Sequence, residues 1–106
     1  MNVTVPSPSP DSVELLDQLL QSLFGDFDHW FHRGLVLLDC TPEGLLPPGE
    51  PEALRRDIKA ALAELAAARA LRSAAPTAMA VDMDAMAPWH RLMMRIWSLS
   101  ALLRRA

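Results

Sequence analysis

The sequence is poor in cysteine, in aromatic residues and in long apolar runs. It contains one cysteine, no tyrosine, three phenylalanines and three tryptophans among 106 residues. Because Cys40 has no second cysteine to pair with, an internal disulfide is excluded and a reducing compartment is favoured. The best membrane candidate, residues 92–103, is interrupted by Arg95 and is shorter than the roughly 18 apolar residues of a membrane span. We therefore expect a cytoplasmic protein without stable membrane insertion and without a secretory signal.

The motifs that commonly carry catalysis or cofactor binding are also missing. The sequence contains no glycine-rich phosphate loop, no G-x-S-x-G motif and no C-x-x-C pair. No two carboxylates are predicted to share the apolar site that general acid–base catalysis needs. We therefore predict no catalytic residues, no cofactor and no enzymatic activity.

Charge is distributed unevenly along the chain, although the net charge is only −3. Residues 1–52 contain nine acidic residues and one basic residue, whereas residues 53–106 contain four acidic and nine basic residues. One interpretation is complementarity between helices together with ordinary solvation, and the other is a basic face for an acidic partner. Nucleic acid is not expected as a partner, because the chain is acidic overall and does not interleave basic with aromatic residues.

The apolar residues are mostly leucine, alanine and methionine, which favour helices over strands. Apolar periodicity, with breaks at proline and glycine, predicts helices over about residues 12–38, 51–75 and 86–105. Residues 1–10 alternate proline with serine and are predicted to form a disordered tail before a single domain over residues 11–106. Short connections between long helices favour an antiparallel up-down-up arrangement. The predicted fold is therefore an all-α three-helix bundle with a disordered N-terminal tail.

The first predicted helix has a wide apolar face. Its apolar residues fill an arc of about 200° on a helical wheel, and one neighbouring helix needs only about half of that width. This helix is therefore predicted to contact two neighbours, or one neighbour and another chain. Gly34 lies within the arc, where the missing side chain permits close approach of a neighbour.

Three histidines suggest a metal site as one interpretation. His29 and His32 fall opposite the apolar arc and are predicted to be exposed. In an up-down-up bundle, His29 would lie about 26 Å along the first helix and His90 about 8 Å along the parallel third helix. Since one metal ion could not reach both in a monomer, we predict no metal site. A small metal- or ligand-binding protein that uses His29 and His32 is kept as an alternative function.

The third predicted helix has one basic edge and is apolar over most of the rest. Arg91 and Arg95 lie within an arc of about 80° on the helical wheel. One interpretation is a solvated basic edge beside an ordinary core. The other is a partner-binding surface, because the apolar arcs of the first and third helices are wider than packing within a three-helix bundle would bury. The predicted partner-binding residues are Trp30, Arg91, Met93, Met94, Arg95 and Trp97.

These observations predict a non-enzymatic interaction module, an adaptor or assembly factor that binds a protein partner or a second copy of itself. The histidine site is one alternative. A second alternative is peripheral membrane association, in which the arginines of the third helix face anionic headgroups.

Two blocks of the sequence carry a family resemblance. They are DFDHWFHRGLVLLD at residues 26–39 and PWHRLMMRIW at residues 88–97. The positions that carry the match are Asp26, Phe27, Trp30, Phe31, Pro88, Trp89, His90 and Trp97. Over residues 12–103 the chain resembles a family of small cyanobacterial proteins catalogued as domain of unknown function 2605. The resemblance implies a cyanobacterial source, a cytoplasmic setting and no assigned activity, and it supplies no catalytic residues.

Overall fold

The structure is a computed structural model that describes residues 10–74 and 83–105. Three helices make up most of this part of the chain: α1 (Pro10–Asp39), α2 (Glu50–Ala74) and α3 (Met83–Arg105). No strand occurs among the described residues, so the predicted all-α class is confirmed. Residues 1–9, which make up nearly all of the predicted tail, lie outside the described residues.

The helix bounds agree with the predicted bounds to within three residues, and the end of α3 at Arg105 agrees with its predicted end. The largest difference is at α3, which begins at Met83 rather than near residue 86. Pro88 therefore lies inside the helix, one turn later than the first-turn position where its missing N–H costs nothing. Pro51 does occupy the first turn of α2, where proline is well tolerated.

The linker between α1 and α2 contains two turns that require glycine. Gly44 and Gly49 both have a φ of 85°, in the left-handed region that glycine enters without a Cβ clash. At the end of α1, the Thr41 hydroxyl donates to the Leu37 carbonyl over 2.7 Å. This bond satisfies one of the backbone acceptors that a helix end leaves open.

Contacts between the helices give their directions. Arg55 near the start of α2 bonds to Asp39 at the end of α1, and Arg72 near the end of α2 bonds to Asp17, so α1 and α2 are antiparallel. Trp89 packs against Phe24 and Phe27 of α1. Further along both helices Trp97 packs against Trp30, so α1 and α3 are parallel. The predicted up-down-up order is confirmed.

The hydrophobic core lies around α1, which packs against both α2 and α3. This arrangement accounts for the wide apolar arc of α1, since each neighbour covers part of it. The side chains that are fully buried include residues from all three helices: Phe27, Phe31, Ile58, Leu65 and Ile96.

Gly34 lies where the three helices come closest together. A Cβ atom added to it would be 2.8 Å from Cδ1 of Ile96 and 2.9 Å from Cδ1 of Ile58. Real Cβ atoms do not approach other heavy atoms so closely, so even a methyl group would force one of the isoleucines to move. The absence of a side chain at this position sets the spacing of the bundle.

The charge asymmetry of the sequence is partly explained by pairing between α1 and α2. Three aspartates on α1 are spaced eleven residues apart, and an eleven-residue repeat returns to nearly the same side of a helix. Each of them lies within salt-bridge distance of an α2 arginine, and the pairs are Asp17–Arg72, Asp28–Arg69 and Asp39–Arg55. The interpretation as complementarity between helices therefore accounts for these six charges.

Candidate interaction surface

Among the residues whose burial the structure describes, the exposed methionine and aromatic side chains lie on α3 along the edge where it meets α1. Met94 is 60% exposed and Trp97 is 45% exposed, and Trp30 of α1 is half-buried beside them. The ring centroids of Trp30 and Trp97 are 5.8 Å apart with an interplanar angle of 80°. We call Trp30, Met94 and Trp97 together the aromatic face.

The two tryptophans of the aromatic face hold each other in place. Their edge-to-face geometry is one that aromatic pairs prefer, and it restricts the rotation of Trp97 although much of that ring faces solvent. The ring of His29 also packs edge-to-face on the ring of Trp30, with ring centroids 5.5 Å apart and an interplanar angle of 78°. The face thus presents two large aromatic side chains that already contact each other in the free protein.

Met93 does not belong to this surface, and the structure gives no support to its predicted role as a partner-binding residue. Its side chain is only 7% exposed and is part of the hydrophobic core. Successive residues of a helix differ by about 100° in direction, so Met93 and Met94 fall on opposite sides of the boundary between core and solvent. The width of the apolar arc indicated that α3 exposes apolar residues but did not locate that boundary.

The two predicted arginines have different surroundings. Arg95 donates from Nη1 to Oδ2 of Asp57 over 3.0 Å, so its charge is paired across the α2–α3 interface. This hydrogen bond lowers the pKa of the Asp57 carboxyl below its ordinary value of 3.8. Arg91 is exposed and has no ion-pair partner among the described residues. Only Arg91 of the pair therefore offers an uncommitted positive charge to a partner.

A shallow groove between α2 and α3 contains both arginines. Trp89 lies along its floor and donates its indole N–H to Oε2 of Glu64 over 3.0 Å. Together with Arg95–Asp57, this bond joins two helices that otherwise pack loosely. The groove is therefore a polar seam of the bundle, and Arg91 is the basic side chain in it that has no ion-pair partner among the described residues.

The positions of the histidines correct one prediction. His90 packs edge-to-face on Phe27, with ring centroids 5.0 Å apart, so it lies level with the middle of α1. The predicted axial separation from His29 is wrong, because it assumed that α1 and α3 start at the same level. Nδ1 of His32 lies 2.9 Å from the backbone carbonyl oxygen of Asp28, one turn earlier in α1. The described residues contain no group of three His, Cys, Asp or Glu side chains that could hold a metal ion.

A second exposed apolar surface was not among the predicted site residues. Leu15, Leu16 and Leu19, near the start of α1, are 58%, 52% and 59% exposed. We call these three residues the leucine face. The wide apolar arc of α1 was the available signal, but the sequence pattern does not show which part of the arc lacks a neighbour.

Comparison with protein families gives one match. The family described as "Protein of unknown function (DUF2605)" matches residues 10–105, which is nearly the whole chain. The chain belongs to this family. The resemblance inferred from the two tryptophan-containing blocks is thereby confirmed, and the matched region begins and ends within one residue of the helical part of this DUF2605 protein.

No curated protein and no solved structure matches the chain. Among the described residues of the DUF2605 protein, none of the helices is both long enough and apolar enough to cross a membrane.

Proposed function

We propose that this DUF2605 protein is a non-enzymatic interaction module, an adaptor or assembly factor, that binds another protein chain through its aromatic face. The observation that carries the proposal is the exposure of Met94 and Trp97 beside the half-buried Trp30. Exposed apolar residues that are contiguous and well ordered are a recognised feature of protein-binding surfaces.

The chemistry of these side chains supports protein binding in particular. Tryptophan is the residue type most enriched among those that dominate binding energy, and methionine adapts its shape to a partner. Because Trp97 is already restrained by Trp30, little rotational freedom is lost when a partner covers it. Arg91, on the α2 side of the same exposed surface, supplies a positive charge that favours an acidic rim on the partner.

Site-specific photo-crosslinking tests this proposal. A benzophenone amino acid replacing Met94 is expected to capture a defined protein in an extract of the source organism. The matched control carries the same amino acid at Val36, which is also exposed and apolar but lies on a different side of α1. Trp97→Gln, combined with the crosslinker at Met94, should abolish the product.

Crosslinking at Val36 with the same yield and the same products would contradict the proposal, because it would show that the aromatic face has no special affinity. Arg91→Glu is the substitution that best tests the contribution of positive charge to this binding. Arg95→Glu is unsuitable, since it would place two carboxylates together at Asp57 and disturb the bundle.

The alternatives drawn from the sequence stay predictions. Metal or ligand binding at His29 and His32 and peripheral membrane attachment through α3 gain no specific support from the contacts described above.

A further inference from the structure

The leucine face lies on the part of α1 that α3 does not cover. Trp89, six residues after the start of α3, contacts Phe24 and Phe27, so α3 begins about 9 Å before that level. The first two to three turns of α1 therefore extend past α3. Leu16 and Leu19 lie on the same side of α1 as Trp30, which is the side that α3 covers further along.

The surroundings of the leucine face are acidic. Asp11 lies one turn before Leu15 on the same side of α1, and Glu14 lies at the same end of the helix on an adjoining side. Both are exposed and have no ion-pair partner among the described residues. The first basic residue of the sequence is Arg33, about five turns further along α1, so no lysine or arginine in the early turns of the helix offsets these carboxylates. Arg72, the nearest buried arginine of α2, is already bonded to Asp17. A partner for the leucine face should therefore combine apolar side chains with positive charge.

The aromatic face has the complementary character. Arg91 lies on its exposed side, and Arg104 and Arg105 are exposed in the last turn of α3. The sequence contains no acidic residue after Asp84. The aromatic face has one carboxylate beside it as well, because Asp26 is exposed one turn before Trp30. Acidic groups therefore predominate beside the leucine face, whereas guanidinium groups outnumber the single carboxylate beside the aromatic face.

A single copy cannot bring its two faces together. Leu16 and Trp30 are fourteen residues apart on one continuous helix, which corresponds to about 21 Å. The two faces can meet only when they belong to different copies. Because both lie on the same side of α1, two copies can make the contact twice around a two-fold axis and close the assembly.

We propose that the leucine face of one copy docks on the aromatic face of a second copy, with the acidic residues of the first against the arginines of the second. This inference rests on the proposed function, because it takes the aromatic face as the binding surface and names a second copy as its partner. Because the contact forms twice in each dimer, the apolar areas that the two contacts bury add together. A small domain needs this combined area for stable association.

Sedimentation analysis of the intact chain and of two paired variants tests the docking. Wild type is expected to form a dimer whose dissociation constant rises with salt, since the charges around the two faces are exposed. Leu16→Gln/Leu19→Gln breaks one face, and Met94→Gln/Trp97→Gln breaks the other. On its own, each variant should have a dimer dissociation constant at least about tenfold higher than that of wild type, as expected when central apolar anchors are lost.

Mixing the two variants is the decisive step. Each retains the face that the other lacks, so an equimolar mixture should regain a dimer through one intact contact. Leu71→Gln is the matched control, because Leu71 is an exposed leucine of α2 that belongs to neither face; it should dimerise like wild type. Circular dichroism confirms that every variant retains its helices.

Other outcomes overturn the docking. If the leucine variant still dimerises, the aromatic faces pair with each other; if the tryptophan variant still dimerises, the leucine faces do. A mixture that stays monomeric excludes the contact between the two faces. A monomeric wild type also overturns it, and the proposed function survives in that case only if the crosslinker at Met94 still captures a different protein.

Discussion

Gly34 is the single position where the packing of all three helices depends on the absence of a side chain. The nearest atoms to an added Cβ belong to Ile96 of α3 and Ile58 of α2, both fully buried. Neither isoleucine has free space to move into, because protein cores are close-packed. The other glycine of α1, Gly25, has only the Nη2 atom of Arg69 nearby, at 3.8 Å, which is an ordinary contact.

Gly34→Ala is expected to lower the free energy of unfolding by about 1–3 kcal/mol, since overpacking a tight site forces side chains or backbone to shift. Gly25→Ala is the matched control and should raise it by about 0.5–1 kcal/mol, because alanine is the better helix former and its methyl group fits. Urea denaturation followed by circular dichroism measures both. Equal effects of the two substitutions would show that Gly34 is not a close-contact position.

The Arg95–Asp57 pair has a defined pH dependence. The hydrogen bond from Arg95 holds the pKa of Asp57 below its ordinary value of 3.8, so the folded protein binds a proton at this carboxyl less readily than the unfolded chain. The stabilisation is therefore present above the ordinary pKa and is lost as the pH falls through the lowered one. Since both side chains are more than a third exposed, the contribution is at most about 1 kcal/mol.

Asp57→Asn should accordingly be less stable than wild type at neutral pH, and the difference should shrink towards zero as the solution is acidified. Urea denaturation at a series of pH values measures the difference. Glu52→Gln is the control, because Glu52 is exposed and has no ion-pair partner among the described residues. A difference for Asp57→Asn that persists at acid pH would mean that the substitution acts through packing instead.

At the scale of elements, α1 and α2 are joined by charge pairs that differ in burial. The guanidinium of Arg72 is buried and bonds to both the carboxylate and the backbone carbonyl of Asp17. The Arg55–Asp39 pair at the opposite end of the interface is much more exposed, at a distance of 2.9 Å. The two pairs therefore have unequal energetic weight, because a buried charge that loses its partner is costly whereas an exposed one is solvated.

Asp17→Asn is expected to cost about 1.5–3 kcal/mol of unfolding free energy, the range for a hydrogen bond to a charged group. Asp39→Asn, the same chemical change at the exposed pair, should cost less than about 1 kcal/mol. Equilibrium denaturation of both variants gives the comparison. If Asp39→Asn proved the more damaging of the two, burial of Arg72 would not be what sets the energy of these pairs.

At the scale of the whole molecule, the bundle is uneven along its length. α1 has 30 residues and α3 has 23, and α3 packs alongside the later part of α1. The early turns of α1 carry the exposed leucines, whereas its middle carries Phe27 and Phe31, which are fully buried. We therefore expect the early turns of α1 to open more easily than its middle, since segments with few buried apolar contacts open most easily.

Hydrogen–deuterium exchange should therefore be faster for the amides of residues 14–19 than for those of residues 27–34 at low protein concentration. Docking of a second copy on the leucine face would cover the first segment, so its protection should increase as the concentration is raised. Mass spectrometry of peptides from the two segments measures both effects. Equal protection of the two segments at high dilution would contradict the uneven packing.

Much of the fold could be predicted from the sequence because the signals for it are local. Helix propensity, apolar periodicity and the breaks at proline and glycine gave three helices with bounds within three residues of those observed. The arc of α1 correctly indicated more than one neighbour. For the candidate site, Met94 and Trp97 are exposed whereas Met93 lies in the core, and the apolar pattern of the sequence did not separate Met93 from the other two.

What the sequence alone determined is therefore the number, type and approximate extent of the helices, together with the amount of apolar surface that they carry. Only the tertiary structure decided how α3 is placed along α1, with Trp89 against Phe24 and Phe27. That placement leaves the leucines of α1 uncovered and brings His90 onto Phe27. The physical reason is that the axial register of two helices depends on how side chains from both interdigitate, and neither helix encodes this by its own periodicity.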